Sequence, residues 1–206
     1  MEDEMEQLLK MEKSNREFEP ELWLRLADED YVATRLLAYY NFERFAAYHM
    51  QQAVEKYLKC FILKHYEIDY GNKVPIIKGC QNIRFKTHDL KQLLECCQQK
   101  NVFFKKPDVI NFIDTLKNFD EIRYPSPLMI DYEIFSKMDY FAKNVRDLID
   151  IKIVDLISHL QSGPVAGRDM VKTYLKEAFF HKNGLFIEKG KIEIENAKKS
   201  RFGARS

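Results

Sequence analysis

No apolar run in this chain approaches the roughly 18 residues that a membrane-spanning helix needs, which argues against a spanning helix in this stretch. The N-terminal end is acidic, the opposite of a secretory leader. Glycine and proline are scarce, seven and six in 206 residues, so collagen-like and low-complexity architectures are excluded. The four cysteines, Cys60, Cys80, Cys96 and Cys97, form no Cys-x-x-Cys pair, and two are adjacent, where a mutual disulfide would be strained. They read as reduced intracellular thiols, and their spacing to His49 or His88 does not suit zinc. There is no glycine-rich phosphate loop, no Gly-x-Ser-x-Gly and no His-Glu-x-x-His. Acidic side chains are abundant but scattered, so no common enzyme class is signalled.

What is present is ordinary globular material, 46% apolar and 32% charged, with a net charge of +1. Bulk charge therefore names no partner, but its distribution is uneven. Residues 1–30 carry eleven acids against four bases, and residues 181–206 carry seven bases against three acids. Ends of opposite sign could meet within a dimer or dock separately on partners.

The stretch Tyr48 to Cys60 organises the rest. At about 100° per residue, Met50, Ala53, Val54, Tyr57, Leu58 and Phe61 sweep one apolar arc, and His49, Gln52, Lys56 and Lys59 fall opposite. Such a stripe is also what a solvated face looks like. Its residue types, two ammonium groups, a carboxamide and an imidazole, are those that hold an anion or a nucleobase edge.

Around it the periodicity predicts an all-α bundle. Pro20 opens a helix from Glu21 to about Tyr40, and a second helix runs from about Phe42 to Tyr66. Residues Glu67 to about Lys86 form a loop whose Val74, Ile76, Ile77 and Ile83 pack on the bundle. Thr87 is the expected N-cap of the next helix, with His88 in its first turn, either as a capping residue or as a contact to a bound phosphate. Pro107 opens a short helix ending in Arg123-Tyr124-Pro125-Ser126-Pro127, where two prolines stiffen a corner. Arg123 there reads either as a structural ion pair with Asp120 or Glu121, or as an anion contact. A last helix spans roughly Asp131 to Leu160. Gly163 to Gly167 is a linker, followed by a short helix, an Asn183-Gly184 hairpin signal and a basic tail. The expected divisions are an acidic segment 1–19, a bundle 20–162 and an extension 163–206.

The run Tyr48, His49, Gln51, Gln52, Ala53, Glu55, Lys56, Leu58, Lys59, then Thr87-His88-x-Leu90-x-x-Leu93, then Arg123-Tyr124-Pro125, resembles the HEPN family (higher eukaryotes and prokaryotes nucleotide-binding). Ala27-Asp28 and Tyr31-x-Ala33 are similar to its opening helix, so the resemblance covers about residues 20–160. It implies an up-and-down bundle of about five helices, here with a small C-terminal helix and β-hairpin added.

Ribonuclease members carry an arginine followed, after four to six residues, by a histidine; here Arg123 has no histidine after it until His159. Arg44 and His49 show the bare spacing but lie about 140° apart on one helix, and Arg84 and His88 are one residue too close. The resemblance thus implies a non-catalytic module that binds a nucleotide or RNA phosphate through Gln52, Lys56, Lys59, His88, Arg123 and Tyr124, without metal or cofactor. The missing apolar run, the acidic N-terminus and the cysteine pattern point to the cytoplasm, and the resemblance implies a homodimer in a toxin–antitoxin or defence-type assembly. Residues 168–195, whose short strands need a partner, are the expected contact to a nucleotidyltransferase or other protein. The alternative is a metal-independent ribonuclease with an atypical site.

Overall fold

Residues Pro20–Tyr39 form the first helix, α1. Proline suits the first turn, where its missing N–H costs nothing and its φ is preset, and the extended Glu19 accepts the Leu22 N–H at 3.1 Å. The computed structural model describes residues 19–69, 75–80, 83–117, 133–150 and 183. At the far end of α1, Asn41 adopts φ 61°, a left-handed conformation that asparagine tolerates, and the chain reverses into α2, Glu43–His65. Contacts along the pair fix an antiparallel hairpin. Cys60 Sγ donates to Pro20 O at 3.1 Å, the Tyr57 hydroxyl to Asp28 at 2.7 Å, and His49 lies 2.7 Å from Asp30.

Helix α2 is the central rod. Ala46, Ala47, Met50, Ala53, Tyr57, Leu58, Phe61 and Ile62 are all buried in the core. Two antiparallel strands follow, β1, Ile68–Asp69, and β2, Ile76–Ile77, with Ile68 opposite Ile77. The segment expected as a loop packed on the bundle therefore holds a short ladder, and Ile77 and Ile83 are buried as expected. Val74 lies outside the described residues.

Helix α3, Leu90–Lys100, is capped by Asp89, whose carboxylate accepts Lys91 N–H at 2.9 Å and Gln92 N–H at 3.3 Å. This corrects the expected Thr87 cap. Thr87 Oγ1 instead accepts the Asp89 N–H, and His88 precedes the helix. A 3-10 turn, Val102–Lys105, leads to α4, Pro107–Lys117, which begins on the proline that the sequence marks. Helix α5 runs Glu133–Ile149, where Asp150 turns left-handed at φ 59° and Lys64 Nζ of α2 takes the Ile149 carbonyl; the expected stretch on to Leu160 lies outside the described residues. The described residues thus contain five α-helices and one small two-stranded ladder. Residues 118–132, which include Arg123 and Tyr124, lie outside the description, as do the linker, short helix and hairpin expected after residue 163, apart from Asn183.

The core is aromatic where α2, α4, α5 and the 3-10 turn meet. Phe61 packs on Phe104 at 4.7 Å between centroids, and Phe112 on Phe141 at 5.8 Å. Each such ring, once buried, contributes about 2–3 kcal/mol. Two buried ion pairs tie α1 to α5. Arg146 pairs with Asp28, which also accepts from Tyr57, and Arg35 lies 3.3 Å from Asp139, which accepts from Tyr31 at 2.7 Å. Asn183 is fully buried and donates to the Tyr31 hydroxyl at 3.0 Å, so the chain beyond the bundle returns to it at that point.

Cys80 and Cys96 are joined in a disulfide with a Cα–Cα distance of 5.6 Å, which corrects the reading of four reduced thiols. Cys60 and Cys97 are free and buried. The adjacent cysteines diverge: Cys97 Sγ points toward Leu58 O in α2, and Cys96 toward the Cys80 loop.

Candidate functional site

The polar stripe of α2 is organised by two carboxylates. Asp30, reaching across from α1, holds His49 at 2.7 Å through one oxygen and Lys56 through the other. Glu55, within the stripe itself, holds Lys59 at 2.7 Å. The pairing follows from spacing, since His49 and Lys56 are two turns apart and Glu55 and Lys59 are four residues apart on one face.

The second group is the more deeply set. The Lys59 and Glu55 side chains are only 3% and 7% exposed, so neither charge could persist there alone. The Lys59 ammonium also lies over two rings, 5.0 Å from the Trp23 centroid and 5.7 Å from that of Phe85, which meet edge to face at 5.4 Å. His88 completes the cluster, with Nδ1 3.1 Å from each Glu55 oxygen while its ring stands 82% exposed. A carboxylate only accepts, so Nδ1 carries the proton and Nε2 faces outward.

Lys59, His88 and the two rings line a hollow of about 330 Å³, bounded by Leu22, Trp23, Leu26, Lys59, Phe85, Lys86 and His88, with Glu55 behind them. Helix α1 supplies the apolar floor, α2 the buried cation, and the segment between β2 and α3 the opposite wall. The interior is apolar and charge-compensated. The mouth is basic, because Lys86 and His88 stand exposed there, and Lys86 makes no ion pair with any described residue.

Of the residues marked from sequence, Lys59 and His88 converge on this hollow. Gln52 sits on α2 one turn before Glu55, and Lys56 is engaged by Asp30; neither lines the hollow. Arg123 and Tyr124 lie outside the described residues. Sequence reasoning missed Glu55, Trp23, Phe85 and Lys86 as members of one site. The Glu55-x-x-x-Lys59 spacing is a signal that could have found the first, while the others come together only through the tertiary fold. Among the described residues no three of His, Cys, Asp and Glu gather as a metal site, and no helix is long and apolar enough to cross a membrane.

Among the described residues, fold and site together define a mostly helical domain with an apolar, cation-backed hollow beside its central hairpin. The family model of the HEPN domain matches residues 20–152, well over half the chain, and the protein belongs to that family of nucleotide-binding and ribonuclease-type domains. Comparison with curated proteins and with solved structures gives no match.

Proposed function

We propose that the hollow between α1, α2 and the segment before α3 binds a nucleotide or the end of an RNA. The observation that carries this reading is the convergence of Lys59 and His88, both held by Glu55, with the Trp23 and Phe85 rings on one hollow. A base lies against the apolar floor and aromatic wall, and Lys59 offers the N–H groups that Glu55 leaves unused. Phosphate meets Lys86 and His88 at the mouth. A volume near 330 Å³ is at the small end of ligand pockets, roughly 300–1,000 Å³, and suits one nucleotide.

The role is binding without cleavage. Family membership supports the binding, and the absence of cleavage is supported by Leu128, Met129 and Ile130 at the three positions where an arginine-led ribonuclease motif starting at Arg123 would place its histidine. In this reading the protein is a cytoplasmic homodimer and a subunit of a toxin–antitoxin or defence-type assembly, meeting a nucleotidyltransferase or other protein through residues 168–195. Calorimetric titration of the intact protein with adenosine monophosphate and with a short oligoribonucleotide tests the binding. Saturable heat is expected for at least one of them, and none for either would overturn the reading.

A second reading, metal-independent RNA cleavage, is favoured by one observation. Two histidines are each held by a carboxylate, His88 by Glu55 and His49 by Asp30, an arrangement that orients an imidazole for proton transfer. It requires that purified protein cut RNA and that His49→Ala or His88→Ala abolish the cutting; cleavage surviving in both variants would end it.

A further inference from the structure

Among the described residues six large apolar side chains stand exposed, and five of them, Tyr39, Tyr40, Phe42, Phe45 and Tyr48, fall between positions 39 and 48. The sixth is Val102. That short stretch is the tip of the α1–α2 hairpin, where α1 ends at Tyr39 and α2 begins at Glu43. Phe42, Phe45 and Tyr48 recur every three residues and so share one face of α2. Phe45 is the most open of the five at 61%, and the Tyr39 and Tyr40 rings meet edge to face at 5.1 Å beside the turn.

The tip is firmly held. Tyr40 N donates to Leu36 O at 3.2 Å, Asn41 N to Ala38 O at 3.1 Å and Phe42 N to Leu37 O at 2.8 Å, and Ala46 and Ala47 next to the rings are fully buried. Rings presented on a fixed backbone lose little freedom when they are covered. The charges set among them are Glu43 and Arg44, one of each sign, so the tip lacks the surplus of cations that a phosphate backbone requires. Its chemistry suits another protein surface, where aromatic side chains are enriched. With five rings of roughly 200 Å² each, about half open, one copy offers roughly 500 Å². Two copies together cover about 1,000 Å², the least that a specific interface buries.

We propose that this tip is the surface through which two copies of the chain meet on a two-fold axis, the ring face of one protomer packing on the same face of its partner. A two-fold contact is self-complementary, since each patch meets its own copy. An aromatic face satisfies that condition as it stands, and neighbouring charges of opposite sign, Glu43 and Arg44, satisfy it at the rim. An interface of this size is modest, so the dimer is concentration-dependent. The hollow lies further along α2 at Lys59, about 21 Å from Phe45 by helical rise. The proposal therefore gives the homodimer its surface and does not rest on nucleotide binding.

The test is sedimentation equilibrium of the full chain over a concentration series, with circular dichroism as the check on folding. The native chain is expected to pass from monomer to dimer, and Phe45→Glu, at an open helical position, to weaken the dimer about tenfold or more, as loss of an aromatic anchor does. Should that variant lose helix, Phe42→Ser decides: α2 has no side-chain cap at Phe42, so serine removes the ring and supplies a capping hydroxyl. Cross-linking then places the contact. All four native cysteines are buried, so Phe45→Cys supplies the accessible thiol and a short bismaleimide should join two chains through it. Val102→Cys should not be joined, because its turn packs at Phe61, about 24 Å along α2 from Phe45. A native chain that stays monomeric, a dimer undiminished in the folded variant, or equal cross-linking of the two cysteine variants overturns the proposal. A monomeric native chain that binds an oligoribonucleotide, and loses it in Phe45→Glu, would overturn it in favour of RNA. Failure of the native chain to bind any nucleotide leaves the dimer result standing and removes only the binding reading.

Discussion

Glu55 and His88, 33 residues apart in sequence, meet with Nδ1 3.1 Å from both carboxylate oxygens. The same carboxylate holds the buried Lys59 at 2.7 Å. One acidic side chain thus fixes a cation at the back of the hollow and an imidazole at its mouth.

Removing that carboxylate leaves Lys59 as an uncompensated charge in the interior. Glu55→Ala is expected to destabilise the protein by about 3–5 kcal/mol, read by urea denaturation. Glu55→Gln combined with Lys59→Met, which removes both charges, should recover most of this loss. Single and double variants of equal stability would show that the pair is not buried as described.

The mouth residues divide from the Asp30 group by function. Lys86→Ala and His88→Ala should each weaken adenosine monophosphate binding by roughly fivefold, the equivalent of about 1 kcal/mol for one solvent-exposed hydrogen bond. Lys56→Ala, whose ammonium belongs to Asp30, should change the affinity less than about twofold in the same assay, the range of an ordinary surface substitution. Circular dichroism should show unchanged helix in all three. A Lys56 effect larger than those of Lys86 and His88 would move the ligand to the other carboxylate.

Much of the helical frame could be read from the chain, because its signals are local. Pro20 and Pro107 begin helices as marked, and the apolar spacing of α2 and α5 places Met50, Tyr57, Leu58, Met138, Phe141 and Val145 in the core. The start of α3 was misplaced because Thr87 and Asp89 are both good caps two residues apart, and the carboxylate, accepting two N–H groups, wins. The strands β1 and β2 are two residues each, too short to show alternation. The disulfide depends on where Cys80 and Cys96 meet in space, which spacing does not reveal. Lys59 read as an open cation because the helical stripe shows its own face but not the Trp23 and Phe85 rings that cover it.

The Arg35–Asp139 pair gives a pH signature. Burial holds the Asp139 carboxyl up at about 6 against an ordinary 3.8, with Arg35 and the Tyr31 hydroxyl pulling the other way. A carboxyl raised on folding stabilises the native state while protonated. Its contribution is complete below the unfolded value and is lost as pH rises through about 6. Asp139→Asn cannot ionise, so its stability should gain on the native protein by roughly 2–3 kcal/mol between about pH 4 and about pH 7, at about 1.36 kcal/mol per unit. Denaturant midpoints at the two pH values check it, and a constant difference would contradict the assignment.

The most direct measurement of the central claim is photoaffinity labelling of the intact protein with an azido-adenosine monophosphate, followed by peptide mapping. The expected label falls on the peptides that carry Leu22 to Leu26 or Phe85 to His88, and excess unlabelled nucleotide removes it. Label confined to other segments, or label that the nucleotide does not compete away, would contradict the placement of the ligand in this hollow.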